Sequence, residues 1–211
     1  MNKDNKFVIT INRELASGGR TVGRILAEKL GVPFYDKALI RALEAKYQLT
    51  TEEIERLKSR ERSWWADFKR VLTVGEEAAN STAYYTGADA DLLTTEALYK
   101  AEREILLGIA EEESCVIAGR SAFFILNAHP NRLSVLIQAP MEYRVERIMK
   151  KQNLSWKDAM KTINKVDKMR EEYVKNYANT SRYDTRNYDL VINMAGKTEE
   201  QVADLILSFI D

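Results

Sequence analysis

Apolar residues along the chain alternate between two periods. Phe7-Val8-Ile9-Thr10-Ile11 is a short β-branched run that predicts a buried strand. Val22, Ile25, Leu26 and Leu30 then recur at helical spacing over Thr21 to Leu30, with Gly31 as the expected C-cap and Pro33 two residues beyond. Val32 to Tyr35 predicts a second strand ending at Asp36. From Lys37 to about Ala110 the pattern is helical. Thr50 and Glu53 fit a capping box at one helix start, and Asp91 to Ala110 predicts a long helix. Trp64 to Gly87 is less periodic and resolves no element. Ser114 to Ala118 and Leu133 to Ala139 predict two further strands. Met141 to Gln152 and Ser155 to about Tyr177 predict helices, the second capped by Ser155. Leu190 to Asn193 predicts a fifth strand. Thr198 to Ile210 predicts a closing helix with Thr198 and Gln201 as its capping box.

Strands of four to seven apolar residues alternating with helices imply a parallel sheet covered on both faces. The expectation is one α/β domain over residues 1–211, with a helical insertion at 37–110 and a short lid at 148–156. Ligands of such sheets sit beyond the carboxyl ends of the strands, so the loops there carry the candidate chemistry.

Composition narrows the function. Lys+Arg and Asp+Glu balance at 32 each, which weighs against a general nucleic-acid binder, although a neutral total still permits a local cationic pocket. No apolar stretch suits a membrane span, and the polar Met1 to Lys6 leads directly into the first strand. The single cysteine, Cys115, excludes an internal disulfide and suits a reducing, cytoplasmic setting. The lone histidine, His129, has no partner set for a zinc site.

The glycine loop is the first candidate site. Ser17-Gly18-Gly19-Arg20-Thr21 combines small residues, clustered amides and a helix N-terminus, the requirements of phosphate binding. A Walker A loop reads G-x-x-x-x-G-K-[ST]. One register puts Glu14 at its first glycine, Gly19 at the second, Arg20 at the lysine and Thr21 at the hydroxyl. The other puts Arg13 at the first glycine and Gly19 at the lysine. In both, the lysine is missing; Arg20 offers its charge as a planar fork instead of a point. Two alternatives compete. A dinucleotide loop would use Gly18 and Gly23, with Asp36 as the ribose acid, but Arg20 occupies the place where backbone must approach pyrophosphate. A plain strand-to-helix turn also contains glycines.

Arg120 directly follows an apolar strand, at the sheet's ligand edge, either to hold a phosphate through its guanidinium or as a surface arginine paired with a nearby acid. Arg144 and Arg147 lie one helical turn apart with Lys150 and Lys151 next, either a cationic lid or a solvated basic face. Asp167 and Arg170 share a helix face at i, i+3, either as substrate ligands or as a surface pair. Asp36 and Arg41 stand near the end of the second strand, Asp36 serving equally as a cap for the helix from Lys37. Trp64, Trp65, Tyr84 and Tyr85 suit core packing of the insertion.

The opening Ile9-Thr10-Ile11-Asn12-Arg13-Glu14-Leu15-Ala16-Ser17-Gly18-Gly19-Arg20-Thr21-Val22-Gly23, with Pro33-Phe34-Tyr35-Asp36, resembles the cytidylate kinase-like family. Ile117-Ala118-Gly119-Arg120 is similar to the Gly-Arg segment of bacterial cytidylate kinases, Arg144-x-x-Arg147 to their lid arginines, and Asp167-x-x-Arg170 to their acid–arginine pair. The resemblance implies a P-loop NTPase three-layer sandwich with five parallel strands. It implies ATP and Mg²⁺ as cofactors, CMP or dCMP as acceptor, a small-molecule nucleotide partner and no nucleic acid or membrane, in a monomer or homodimer. On it, Arg20 and Arg147 are the catalytic candidates. Arg13, Ser17, Gly18, Gly19, Arg20, Thr21, Arg144 and Lys151 bind the cofactor, with Thr21 as the Mg²⁺ ligand. Asp36, Arg41, Gly119, Arg120, Asp167 and Arg170 bind the acceptor. Three positions depart from the pattern: Ala16 replaces a glycine, the Walker lysine is absent, and Ile148 replaces a second lid arginine. They keep open a catalytically weak or inactive nucleotide-binding regulatory protein, or a kinase of another small acceptor.

Overall fold

The computed structural model describes residues 1–36 and 96–210. Arg41, the capping box at Thr50 and Glu53, and the aromatics Trp64, Trp65, Tyr84 and Tyr85 lie outside the described residues. Five strands form one sheet: β1 (Val8–Arg13), β2 (Phe34–Asp36), β3 (Cys115–Ala118), β4 (Arg132–Gln138) and β5 (Leu190–Asn193), in the spatial order β2-β3-β1-β4-β5. Every pairing is parallel, with Ile11 beside Ala118, Arg13 beside Ile137, and Gln138 beside Asn193 at the carboxyl ends. Among the described residues six α-helices accompany them: α1 (Gly19–Leu30), α2 (Glu96–Glu112), α3 (Ala122–Ile125), α4 (Met141–Gln152), α5 (Trp156–Ala178) and α6 (Glu199–Ile210). Among the described residues no helix is long and apolar enough to cross a membrane.

The side-chain period of two sends alternate residues of β1 to opposite faces. Ile9 and Ile11 pack with Val22 and Leu26 of α1 and Val202 and Ile206 of α6, whereas Val8 packs with Ile105 and Ile109 of α2 and Ile125 of α3. This double burial explains why β1 and β4 are continuous β-branched runs without polar alternation. The polar interruption, Thr10, is satisfied inside the sheet by the Ser134 hydroxyl of β4 at 3.0 Å. Local caps agree with the sequence. Gly31 closes α1 in the left-handed region, Ser155 Oγ accepts the Asp158 N–H, and Thr198 and Gln201 exchange both capping-box bonds. The four-residue α3 was not foreseen, being too short to show a period.

A third apolar cluster lies beneath the loop that joins β1 to α1. Leu15 plugs into Val145 and Ile148 of α4 and Ala159 and Ile163 of α5. Beside this plug five charged side chains meet. Asp167 Oδ1 accepts the Leu15 N–H at 3.0 Å, and Arg144 Nε donates to the Leu15 carbonyl at 2.9 Å. Arg144 also pairs with Asp167, and with Glu14 at 3.3 Å. Arg182, 1% exposed, donates to Asp167 Oδ1 at 3.4 Å and to the Arg13 carbonyl. Arg170 completes the ring around Asp167 at 3.6 Å. One carboxylate therefore ties α4, α5 and the segment after α5 to the backbone of a single loop.

Buried ion networks resist loss of one member more than they reward its presence, because the remaining charges are left uncompensated. Asp167→Asn keeps an acceptor for the Leu15 amide but removes the charge facing three guanidiniums. It should lower the free energy of unfolding by about 3 kcal/mol, read from urea denaturation. In the same loop Ala16 holds φ at +63°, a region that costs an L-residue roughly 1–2 kcal/mol. Ala16→Gly should therefore stabilise the protein by about 1 kcal/mol in the same assay, the relief of strain exceeding the added chain entropy.

Candidate functional site

β1 ends at Arg13 and the chain continues beside β4, the Glu14 N–H bonding to the Ile137 carbonyl at 3.1 Å. It then folds back on itself: the Ser17 N–H and hydroxyl both donate to the Glu14 carbonyl, at 3.3 and 3.0 Å. Gly18, at φ +91°, swings the chain into α1 as its N-cap. The turn brings Gly19 so near Arg13 that a β-carbon there would lie 2.7 Å from Arg13 Cβ. Only glycine permits this closeness, and the consequence is a bare amide surface at the start of a twelve-residue helix. First-turn amides lack intrahelical acceptors and sit at the positive end of the helix dipole.

A cleft of about 490 Å³ opens over this surface. Its walls carry Arg13, Arg20, Thr21, Arg147, Lys150, Lys151 and Arg170 beside Leu15, Ala16, Gly18 and Gly19, with Glu14 as the acidic member. Six cations against one carboxylate suit a polyanion. Of the residues expected to bind phosphate, Arg13, Gly18, Gly19, Arg20, Thr21, Arg147, Lys151 and Arg170 come together here. Ser17 does not line the cleft: it is fully buried and closes the loop from behind. Arg144, expected at the cofactor, and Asp167, expected at the acceptor, lie under the loop instead, buried and committed to each other and to Leu15. The chain between α4 and α5 is only Asn153 to Ser155, because α4 runs on to Gln152 through the expected lid.

Carboxylates hold the cations in place. Arg20 pairs with Asp36 at the end of β2. Arg147 pairs with Glu199 of α6 at 2.7 Å and donates to the Tyr143 hydroxyl at 3.1 Å. Burial works to lower the pKa of this guanidinium, but Glu199 and then Tyr143 override it and hold it above its ordinary value. Glu199 also leans on the loop, its Oε1 3.1 Å from where a Gly18 β-carbon would be.

At the end of β3 the chain turns sharply, Gly119, Arg120 and Ser121 all having positive φ. The Arg120 side chain is 4% exposed and pairs through Nη1 with Glu102, which is fully buried on α2. The Tyr173 hydroxyl donates to the other Glu102 oxygen at 2.9 Å. Burial first, and Glu102 second, push the Tyr173 phenol far above its usual pKa, so it remains a donor. Among the described residues, Nε and Nη2 of Arg120 are buried without a hydrogen-bond partner. These two N–H groups point the same way and form the guanidinium's side-on fork, which matches two oxygens of a phosphate or carboxylate. A buried unsatisfied donor pair requires an account, and an anionic ligand gives one.

Nothing local in the sequence marks Glu102, Tyr173, Arg182 or Glu199. Each acts through a partner at least 18 residues away, and such pairing leaves no local spacing to detect. Glu14 was visible only as a misfit in the glycine pattern. Its Oε2 in fact accepts the Ala139 N–H at 3.0 Å, fixing the loop to the end of β4.

Nucleotide phosphates fit this loop on structural grounds, since side chains at Gly18 or Gly19 would meet Glu199 or Arg13 and fill the cradle. Magnesium fits more loosely. Thr21 offers one hydroxyl to the cleft, and among the described residues no group of three acidic, His or Cys side chains could hold a metal ion. Mg²⁺ on polyphosphate keeps several waters and needs few protein ligands.

Comparisons with known proteins agree with this geometry. The chain is 26% identical over 204 residues to a cytidylate kinase of Methanosarcina barkeri, covering 96% of each. It is 33% identical over 105 residues to a uronate isomerase of Corynebacterium glutamicum, spanning only 20% of that protein and 50% of this one. Among solved structures, an uncharacterized protein from Eubacterium ventriosum matches at a TM-score of 0.65 with 26% identity, over 98% of this chain and 99% of that one. A shikimate kinase from Bacteroides thetaiotaomicron matches at 0.51 with 14% identity, over 97% of each, a likeness of fold. The architecture is the P-loop NTPase α/β fold. The profile of the cytidylate kinase-like family matches residues 8–196, and the chain belongs to that family.

Proposed function

We propose that the protein transfers the terminal phosphoryl group of ATP to the phosphate of CMP or dCMP. The observation that carries this reading is the cation-walled cleft over the bare amides of Gly18 to Thr21, with the buried, unpartnered Nε and Nη2 of Arg120 at the end of the neighbouring strand β3. Family membership supports a phosphotransferase, and full-length similarity to a cytidylate kinase favours a pyrimidine nucleotide as acceptor.

Phosphoryl transfer depends on positioning and on neutralising charge spread over the moving group. The donor triphosphate would lie along Gly18, Gly19, Arg20 and Thr21, with Arg147 and Lys151 on its outer side. Thr21 would hold Mg²⁺, whose charge would offset that of the phosphates. Arg120 would grip the acceptor phosphate through Nε and Nη2. One oxygen of that phosphate attacks the terminal phosphorus, forming a new P–O bond. The bond to the bridging oxygen breaks and its electron pair leaves on ADP. The proton count is unchanged when the acceptor is a dianion. Asp36 and Arg170, at the ends of β2 and along α5, stand on the acceptor side.

A second reading rests on a specific observation. The residue in the lysine position of one register, Arg20, is paired with Asp36, so its charge is shared with the acceptor side and not devoted to the donor. That arrangement suits a nucleotide-binding regulatory protein with little or no turnover.

A coupled assay of ADP release with CMP, dCMP, UMP and AMP distinguishes the two. Turnover with a pyrimidine nucleotide is the expected result. ATP binding without turnover on any acceptor would instead support the regulatory reading, and ATP use with a non-nucleotide acid would redirect the acceptor. Arg120→Lys loses the fork while keeping the charge. It should raise KM for CMP by about tenfold to a hundredfold with KM for ATP little changed. Equal loss on both substrates would remove Arg120 from the acceptor site.

A further inference from the structure

A P-loop lysine normally carries positive charge to the phosphates about to be separated, and here it is missing. Several of the described cations near the loop are held elsewhere. Arg144 and Arg182 lie under the loop. Arg147 is held on the outer wall by Glu199 and Tyr143. Arg20 turns toward β2 to pair with Asp36. Arg120 is anchored to Glu102 beyond the end of β3. Arg13 differs from all of these in its path.

It is the last residue of β1, the central strand. Its backbone is pinned on both sides: the N–H bonds to Asn12 Oδ1 at 2.9 Å, and the carbonyl accepts from Arg182 and from Arg170 Nη1 at 3.4 Å. Its side chain runs between two glycines. A β-carbon on Gly19 would lie 2.7 Å from Arg13 Cβ and 3.2 Å from Cγ, so the stem passes against the phosphate loop. A β-carbon on Gly119 would overlap Nη1 and lie 3.0 Å from Cζ and 3.3 Å from Nη2, so the head rests on the turn that presents Arg120. The guanidinium therefore bridges from the donor loop to the acceptor turn, and Arg13 also lines the cleft.

We infer that Arg13 replaces the missing lysine as the cation shared by donor and acceptor phosphates, and that Gly119 is a positioning residue whose lack of a side chain keeps that guanidinium in place. The inference rests on the kinase reading above. It accounts for the glycine at 119 as clearance for Arg13, beyond the turn geometry alone. It also explains why a planar, multidentate cation suits this site: one guanidinium can donate to oxygens of two different phosphates, which an ammonium on a flexible stem does less well.

The test is isothermal titration of ADP and of CMP, each alone, into wild type, Arg13→Gln, Arg13→Lys, Gly119→Ala and the Arg13→Gln/Gly119→Ala double variant. Arg13→Gln should weaken both nucleotides about tenfold or more, because charge-assisted hydrogen bonds to each are lost. Arg13→Lys, which keeps the charge and a stem that fits beside Gly19, should recover part of that loss. Gly119→Ala should weaken both nucleotides in the wild-type background but have little further effect with Gln at position 13, since it acts through the guanidinium. Thermal unfolding of each variant separates this from loss of fold; if Gly119→Ala does not fold at its positive φ, the Arg13 pair decides alone. Unchanged binding in Arg13→Gln, loss confined to one nucleotide, or no advantage of Lys over Gln would each overturn the inference while leaving the kinase reading standing. Wild type that binds neither ADP nor CMP would sink the kinase reading itself, and the inference with it.

Discussion

Asp167 receives the Leu15 amide and faces three guanidiniums, and the loop between β1 and α1 takes its shape from that anchor. A loop that must offer bare amides to a ligand cannot spend those amides on internal hydrogen bonds, so its shape has to be imposed from below. Leu15 supplies the apolar half of that anchor by inserting into α4 and α5. Arg144 and Asp167 supply the polar half by satisfying both backbone groups of the same residue. Burial without partners would cost several kcal/mol per charge, and here each charge has at least one partner. The loop is thereby held by helices from the far end of the sequence, which couples its geometry to the packing of α4 against α5.

The same physics decides which parts of this arrangement the sequence disclosed. The central strands β1, β3 and β4, buried on both faces, show as mainly apolar runs, and all five strands were legible, as were the caps at Gly31, Ser155 and Thr198, because those signals sit within four residues of each other. Strand order was not legible, since period and composition say nothing about which strand lies beside which. Asp167 and Arg170 were visible as an i, i+3 pair, but the partner that gives Asp167 its role, the Leu15 amide, lies 152 residues away. Arg144 and Arg147 looked equivalent at one-turn spacing. Their fates differ because the third residue of a turn rotates the side chain by about 300° around the helix, putting Arg144 under the loop and Arg147 at its rim.

The balance of 32 basic and 32 acidic residues turns out to describe the site as well as the whole. Of the six cations lining the cleft, Arg20 is matched with Asp36, Arg147 with Glu199 and Arg170 with Asp167, while Arg120, outside that lining, is matched with Glu102. Six cations gathered without such partners would repel one another in the protein and destabilise the fold. On the reading proposed above, a polyphosphate would take the place of carboxylates at the rim.

That exchange sorts the pairs by burial. Arg147 and Glu199 are 36% and 24% exposed in their side chains, so water screens the pair and its replacement by phosphate costs little. Arg120 and Glu102 are 4% and 0% exposed, and breaking that pair would strand a buried carboxylate. On the reading proposed above, an anion would bind Arg120 in addition to Glu102, through Nε and Nη2, which have no hydrogen-bond partner among the described residues. Chemically identical side chains are thus held on different terms, the rim pair within reach of water and the interior pair closed off from it.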